Sequence, residues 1–481
     1  MSAQGPGSAG VPPAAALLGV ADLLGPLAER FAQAGHELAL VGGPVRDIML
    51  VRPSTNDLDL TTDARPEQIA DLVAGWADTV WDVGARFGTV GVRHQGHHIE
   101  ITTYRSESYD PASRKPEVTF GETLAGDLGR RDFTVNAMAV RLPSLEFVDL
   151  HDGMRDLGEQ MLRTPSPPQE SFSDDPLRMM RAARFVSQLG FTIAPDVVAA
   201  MTSMADRLSI VSAERIRDEL AKLLLGAHPR RGLEVLVRTG LADVVLPELP
   251  ALQLEVDEHH RHKDVYEHSL TVMEQAIALE TAHDPEVEPD LVLRLAALLH
   301  DVGKPKTRRY ETDGGVSFHH HEVVGARIVR KRLTDLRFPN DVVDSVAKLT
   351  ELHLRFHGYG SGEWTDSAVR RYVRDAGDEL VRLHKLTRAD STTRNRRRAA
   401  ALQATYDSLE ERIGVLAEQE ELAAIRPDLD GNQIMAILGI GPGPEVGEAY
   451  NHLLELRLEH GPMNPETAEA ELRTWWAARS T

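Results

Sequence analysis

The sequence predicts an α+β protein, with a strand-bearing N-terminal third followed by a remainder that is helical in pattern. Three observations carry this expectation. Short runs with strand character, at Glu37 to Val41, Asp57 to Leu60, Thr89 to His94 and His97 to Thr103, crowd the first hundred residues. The proline cluster from Pro165 to Pro168 then marks a boundary, beyond which helical spacing takes over. At 481 residues the chain is also too long for one ordinary core, and its length suggests about three domains.

Composition narrows the chemistry. A hydrophobic content of 42% with 26% charged residues is that of a soluble globular protein. There is no cysteine, so disulfides and thiolate metal sites are excluded, and any metal must be held by histidine and carboxylate. A net charge of -21 argues against a generally sticky nucleic-acid coat. An RNA substrate would need a local basic surface. Arg130-Arg131, Arg178/Arg181/Arg184, Arg230-Arg231, and Arg394 with Arg396 to Arg398 are candidates, although each run taken singly reads first as a solvated helix face. Residues 1–20, rich in Gly, Ala, Pro and Ser, read as a disordered tail without the basic start and apolar core of a signal peptide. No apolar run approaches membrane-spanning length, so a cytoplasmic protein is expected.

In chain order, the Glu37 to Val41 run ends in Gly42-Gly43, and Pro44 opens a helical run to Leu50. Two glycines at a strand-to-helix turn let the backbone come close to a ligand, and the free N–H groups around a helix start favour an anion. Asp57 and Asp59 follow, separated by Leu58. In a strand they share one face, where two carboxylates repel unless a cation such as magnesium lies between them. A phosphate-binding turn leading to this pair is the layout of a nucleotidyl transferase. Each half alone reads as a turn and a half-buried strand. Pro66 to Ala77 has helical spacing, and Thr89 to His94 with His97 to Thr103 forms a hairpin around Gln95-Gly96.

The run Gly42-Gly43-Pro44-Val45-Arg46-Asp47, followed by Asp57-Leu58-Asp59-Leu60-Thr61-Thr62, resembles the signature of the class II CCA-adding tRNA nucleotidyltransferases and bacterial poly(A) polymerases, within the polymerase-beta superfamily. That resemblance implies a polymerase-beta-like head at residues 21–162. It implies that Glu100, on the neighbouring strand, is the third carboxylate, and that Arg105 meets phosphate or ribose. Arg130-Arg131-Asp132-Phe133-Thr134-Val135-Asn136-Ala137 is similar to the family's RRDFTxNA motif, in which arginine and aspartate hold the incoming nucleotide. An arginine fork suits phosphate oxygens, while Asp132 and Asn136 suit sugar hydroxyls. Val148 to Gly153 resembles the strand and turn that close the head.

Residues 163–251 are expected to form a helical neck that selects nucleotides and binds RNA. Asp174-Asp175-Pro176-Leu177-Arg178 resembles the family's EDxxR motif, with Asp174 one methylene shorter than the usual glutamate. The spacing places Asp175 and Arg178 on one helical face, with Arg181 a turn further on. Cytosine and adenine each present an amine beside a ring acceptor, which an aspartate and an arginine can pair without a template. An acidic helix start with i,i+3 ion pairs is the plainer reading. Ser212 to Leu220 matches the neck motif ERIxxEL, whose Glu214 and Arg215 read as structural.

Residues 252–395 resemble an HD domain, carrying His268, His300-Asp301, His321, His353 and Asp390 in order. Neutral imidazole with carboxylate suits a first-row divalent transition metal. An apolar helix delivers His300 and Asp301, His321 and His353 extend the series, and on a continuing helix Lys304, three residues after Asp301, would lie near the metal and meet a phosphate. Residues 396–481 are expected to form a helical tail binding tRNA. Its glycine- and proline-rich turn from Gly439 to Gly447 reads equally as a phosphate grip or a joint between helices.

The resemblance covers the chain from about residue 21 onward and points to the HD-carrying, actinobacterial type. It implies Mg2+ in the head, with tRNA, CTP and ATP as partners and neither DNA nor membrane. The implied reaction is template-independent addition of CCA to the tRNA 3′ end. Poly(A) synthesis or A-only addition uses the same head, and a phosphohydrolase driven by the HD domain is a rival from another class.

Overall fold

The strand-bearing part of the sequence folds, in a computed structural model of the protein, around one seven-stranded sheet. The structure describes residues 14–479 apart from 53–55, 85–87, 109–116, 122, 254–263, 283–286, 313–315, 357–363, 392–395 and 421–424. The chain divides into two compact units, Met1–Pro247 and Glu248–Thr481.

The first unit opens with α1 (Ala14–Gln33), which begins inside the stretch expected to be a disordered tail. Residues 1–13 lie outside the described residues. The following elements are β1 (Leu38–Val41), α2 (Gly43–Met49), β2 (Asp57–Thr62), α3 (Pro66–Val73), β3 (Thr79–Gly84), β4 (Thr89–His94) and β5 (His97–Thr103). Helix α3 stops four residues short of the expected Ala77, since Ala74 leaves the helical region and Gly75 turns at φ +68°. A short hairpin, β6 (Arg105–Ser108) with β7 (Glu117–Phe120), precedes α4 (Leu124–Gly129), β8 (Met138–Leu142), β9 (Phe147–Asp149) and α5 (Gly153–Glu159).

The sheet runs β3-β4-β5-β2-β1-β8-β9, with β2 and β5 parallel and the other neighbours antiparallel. Alternation puts Leu58, Leu60, Val90, Val92, Ile99 and Ile101 into the core, and β1 is buried along its whole length. Burying those six apolar side chains stabilises the sheet by roughly 1.5–3 kcal/mol each, before entropy is counted. The same alternation turns Asp57, Asp59, His98 and Glu100 to the exposed face.

The neck comprises β10 (Met161–Leu162), α6 (Pro168–Asp174), α7 (Leu177–Leu189), β11 (Thr192–Ile193), α8 (Pro195–Ser203), α9 (Ala213–Leu224), α10 (Pro229–Arg238) and α11 (Leu241–Val245). The expectation of a purely helical remainder fails at one small place here. Gly190, at φ +74°, ends α7, and Thr192-Ile193 then pairs in parallel with Met161-Leu162.

The second unit begins with α12 (Val265–Glu280), α13 (Leu291–Leu299) and α14 (Lys304–Thr307). A two-residue hairpin of β12 (Arg309–Tyr310) and β13 (Val316–Ser317) departs again from pure helix. Then come α15 (His321–Asp335), α16 (Asn340–Leu352), α17 (Asp366–Ala376) and α18 (Leu380–Asp390). The last part is α19 (Arg396–Glu420), α20 (Gly431–Leu438), α21 (Pro444–His460) and α22 (Pro465–Arg479), the last three packed around Ile434, Ala449, Leu453, Ala468 and Leu472. The turn before α21 places Pro444 at its first position, so the glycines there join two packed helices. No helix among the described residues is long and apolar enough to cross a membrane.

Candidate active site and metal centre

In the first unit the exposed ends of β2 and β5 bring three acids together. Parallel pairing sets Asp59 directly across from Glu100 and Asp57 across from His98. Burial raises the Asp59 carboxyl, Arg131 opposes that, and repulsion from Asp57 adds to it. Burial likewise raises Glu100, reinforced by Asp59 and then Asp57. Asp59 keeps solvent access but is hemmed in by its neighbours. Repelling acids on one face are a donor set that a divalent cation suits.

Gly42 makes the adjacent turn. It sits at φ +76°, and a Cβ there would lie 3.1 Å from Arg131 Nη1 and 3.5 Å from Asp59 Oδ2. Only glycine lets the β1–α2 turn come this close to both groups. Gly43 begins α2, with the Arg46 guanidinium nearby.

Behind the turn lies a chain of paired charges. Arg46 donates to Asn136 Oδ1 at 2.8 Å and to Asp47 at 3.0 Å, and Asn136 Nδ2 donates to Asp132 Oδ1 at 3.0 Å. Arg181 closes on Asp132 Oδ2 at 2.6 Å. Burial opposes the Asp132 charge, but Arg181 and the Asn136 hydrogen bond overcome it and hold the carboxyl far below its usual range. Arg131 and Arg130 are both held by the buried Asp127, at 3.1 and 3.2 Å, and there too the arginines outweigh burial. The Phe185 ring lies under Arg46, Arg181 and Arg184, whose guanidinium carbons stand 5.3, 5.7 and 4.2 Å from its centroid. Burial and Arg181 together pull Arg184 down to about 10, against the attraction of Glu219.

The expected base-reading pair is arranged differently from the sequence reading. Asp174 ends α6, and Asp175 is extended (φ −144°) ahead of Pro176, so it shares no helical face with Arg178. The physical reason is the proline, which pushes the preceding residue out of the helical region. Asp175 Oδ2 accepts from Arg215 at 2.7 Å. Arg178, buried in the first turn of α7, donates to Ser171 Oγ at 2.8 Å and to the Arg130 carbonyl. Arg105 donates to Thr89 Oγ1 at 2.6 Å, and its charge opposes the rise of the Glu100 carboxyl. Of the basic runs, Arg230 pairs with Glu234 and Arg231 with the Gly190 carbonyl, while Arg394 lies outside the described residues.

Asp127, Phe185, Glu219 and Arg215 were not singled out as functional from the sequence. For Asp127 a signal existed, since Arg130 and Arg131 follow it by three and four residues, the spacing of helical ion pairs.

In the second unit, ligating side chains gather at helix ends. His300 and His353 sit just past the C-termini of α13 and α16, Asp390 ends α18, His321 starts α15, and His268 comes from the first turn of α12. Three helix C-termini facing one pocket favour a cation there. His300, His321 and His353 each place Nδ1 within 2.6–2.9 Å of the carbonyl three residues earlier, at Ala297, Phe318 and Thr350. A carbonyl only accepts, so each Nδ1 carries a proton and Nε2 is the ring atom left to meet a ligand.

Those three Nε2 atoms are buried without a well-formed hydrogen bond, and two of them, on His300 and His321, stand 3.2 Å from Asp301 carboxylate oxygens. The ligating atoms form two groups, His268–His300–Asp390 and Asp301–His321–His353, each with all its atoms within 4.8 Å of one another. Buried polar atoms left without partners are costly, and a divalent metal satisfies this donor set. Burial works against the charges of Asp301 and Asp390, but His300 overcomes it and both are held well below the ordinary range. In turn these carboxylates outweigh burial at His300 and lift it to about 10, whereas burial and His300 push His353 down to about 3.

Gly303 makes the assembly possible. A Cβ there would meet the His321 carbonyl at 2.0 Å, so only glycine lets the turn after Asp301 touch the start of α15. Lys304 Nζ reaches Asp301 Oδ2 at 2.9 Å. It does so from a new helix after this turn, not from a continuation of α13.

Comparison with known proteins agrees with this architecture. Residues 38–163 match the Poly A polymerase head domain, 190–252 the probable RNA and SrmB-binding site of polymerase A, and 265–395 the HD domain. The A-adding tRNA nucleotidyltransferase of Deinococcus radiodurans is 37% identical over 359 residues, covering 73% of this chain and 79% of that one. The CCA-adding enzyme of Levilactobacillus brevis is 46% identical over 217 residues, so the match spans 45% of this chain and only about half (53%) of that relative. The crystal structure of the Bacillus stearothermophilus CCA-adding enzyme in complex with CTP superposes with a TM-score of 0.65 at 26% identity, over 98% of this chain and 99% of that one. A polymerase A head, its RNA-binding neck and an HD domain in one order, with a relative alike across most of both chains, mean that this chain belongs to the family of CCA-adding and A-adding tRNA nucleotidyltransferases.

Proposed function

We propose that this protein adds C, C and A, without a template, to the 3′ end of tRNA from CTP and ATP, releasing pyrophosphate in the cytoplasm. The observation that carries the reading is the exposed Asp57–Asp59–Glu100 face beside the turn where Gly42 meets Arg131. Asp57, Asp59 and Glu100 would hold Mg2+, which when bound supplies Lewis acidity to the triphosphate and favours ionisation of the primer hydroxyl. Arg131 and Arg46 bind triphosphate oxygens, Asp132 and Asn136 take the sugar hydroxyls, and Arg181 keeps Asp132 ionised for that role. Asp175 and Arg178 choose the base, with Asp174 beside them. To do so, Arg178 trades its bond to the Arg130 carbonyl for one to the base edge. The neck (163–251) and the tail (396–481) grip tRNA.

The test offers tRNA ending before CCA with CTP and ATP, singly and together, and sequences the product ends. CCA ends with both nucleotides, and CC ends with CTP alone, are expected. The Deinococcus relative favours a second reading, A-only addition, in which only tRNA already ending in CC is extended, by one A. A run of A residues would mark a poly(A) polymerase.

A separate activity is supported by the three buried histidine Nε2 atoms of the second unit, gathered with the Asp301 and Asp390 carboxylates. In this reading the HD domain, residues 252–395, holds a divalent transition metal on His268, His300, Asp301 and Asp390, with His321 and His353 completing the set. It hydrolyses phosphate esters such as those at RNA ends. Wild-type protein is expected to carry transition metal and to release phosphate from 3′-phosphate or to open 2′,3′-cyclic phosphate RNA ends. Protein that does neither keeps its histidines only as a positioning domain for tRNA.

A further inference from the structure

We infer that Trp81 and His98 form a stacking platform for the single-stranded 3′ terminus of the RNA primer, with Arg93 meeting its phosphates. The inference rests on the nucleotidyl-transfer reading of the acid face above.

Strand register puts these groups on that face. Glu100 lies opposite Gly91 on β4, and Gly91 opposite Trp81 on β3, so one row runs Asp59–Glu100–Gly91–Trp81 across four strands. The next row runs Asp57–His98–Arg93–Thr79. Cross-strand partners point to the same side of a sheet, so both rows rise from one face. Across it the acids give way to an imidazole, a guanidinium and an indole.

The Trp81 and His98 rings meet edge-on, with centroids 5.8 Å apart and planes at 66°. His98 and Arg93 are exposed and Trp81 is half-buried. Between Trp81 and Glu100 lies Gly91, buried and without a side chain, so no side chain of β4 separates the ring from the acid.

The topology decides which reactant fits. The triphosphate groups, Gly42, Arg131, Asp132 and Asn136, belong to the turn after β1 and the segment leading into β8, on one side of β2. In phosphoryl transfer the attacking oxygen and the leaving group lie roughly in line, on opposite sides of the phosphorus. With pyrophosphate departing toward β1 and β8, the attacking 3′ hydroxyl comes from the β5-β4-β3 side. Trp81 and His98 lie on that side, one to three strands from Asp59, or about 5–14 Å at the usual spacing. A ring platform there binds any terminal base, because every base has a π face. A primer end that changes after each addition needs a site tolerant in that way.

The experiment measures steady-state addition by full-length protein, with tRNA lacking CCA varied at saturating nucleotide and then nucleotide varied at saturating tRNA. Trp81→Ala and His98→Ala are expected to raise the KM for tRNA about tenfold and leave the KM for CTP and ATP unchanged. Trp81→Tyr, which restores a ring, should recover most of the loss. His98 is exposed, so its variant tests the platform even if Trp81→Ala folds poorly. An unchanged KM for tRNA in His98→Ala overturns the platform, as does a rise in Trp81→Ala that Trp81→Tyr fails to recover. A rise confined to the nucleotide KM overturns it too, by assigning the rings to the incoming base. Wild-type protein that extends no RNA end sinks the transfer reading itself, a result distinct from an active enzyme indifferent to these substitutions.

Discussion

The acid face of the first unit and the histidine pocket of the second solve one electrostatic problem in opposite ways. On the face, Asp57, Asp59 and Glu100 rise from two parallel strands into solvent, and two of the three are raised by burial and mutual repulsion. In the pocket, His300, Asp301, His321 and His353 are buried, and the Nδ1 protons of the three histidines are already committed to backbone carbonyls. A face that must admit a new triphosphate and a new primer end at each step stays open, and its charges are complete only with substrate present. A pocket whose donors are set by helix ends is organised before anything enters it.

The comparison breaks first at the acids. Asp57→Ala or Asp59→Ala is expected to lower incorporation of both C and A by about a thousandfold or more. tRNA retention on filters and the metal content of the second unit should stay as in wild type. Substantial incorporation by either variant would move the site elsewhere.

The converse change is His300→Ala or Asp301→Ala. Metal measured by mass spectrometry is expected to fall from stoichiometric to near zero and phosphate release with it, while nucleotide addition continues. Parallel loss of nucleotide addition would mean that the two sites are not independent.

A smaller effect belongs to base choice. Arg178→Ala should shift the ratio of C to A incorporation by about tenfold while weakening triphosphate binding less. Arg215→Ala, which frees Asp175, should shift it in the same direction by a smaller factor. Unchanged ratios with a uniform loss of activity would make Arg178 a structural residue that ties α7 to the Arg130 carbonyl.

The smallest effect is on stability. A carboxyl raised in the folded chain holds its proton more tightly folded than unfolded. Its stabilising contribution is therefore complete below the unfolded value, 3.8 for Asp59 and 4.5 for Glu100, and is lost as pH rises from there through the raised folded value. At neutral pH, Asp59→Asn should thus raise the melting temperature of magnesium-free protein by about 1–3 °C, solvent screening keeping the gain small. No change, or a fall, would mean that the face carries little repulsion.

Much of this molecule was legible in local spacing. Thr89–His94 and His97–Thr103 are strands with the expected bounds, because alternation and a Gln-Gly turn act within a few residues. Asp57 and Asp59 share a face for the same reason, and the apolar run before His300 is a helix that ends where those ligands begin. One local signal runs against the i,i+3 spacing. Pro176 bars Asp175 from the helix, and with it the shared face that the spacing alone suggested.

Other features come from contacts between residues far apart in the chain, which no periodicity encodes. Arg46 finds Asn136 across 90 positions, Arg181 finds Asp132 across 49, and His268 finds Asp390 across 122. Phe185 reads as one more apolar residue on α7 until packing slides it beneath three arginines. Sequence by itself determined which strands and helices form and which donors they carry, since backbone propensity and side-chain periodicity are short-range. Which donors meet, which arginine serves which acid, and which atoms are left buried for a metal were decided only when the elements packed, because burial and Coulomb attraction act through space and take no account of separation along the chain.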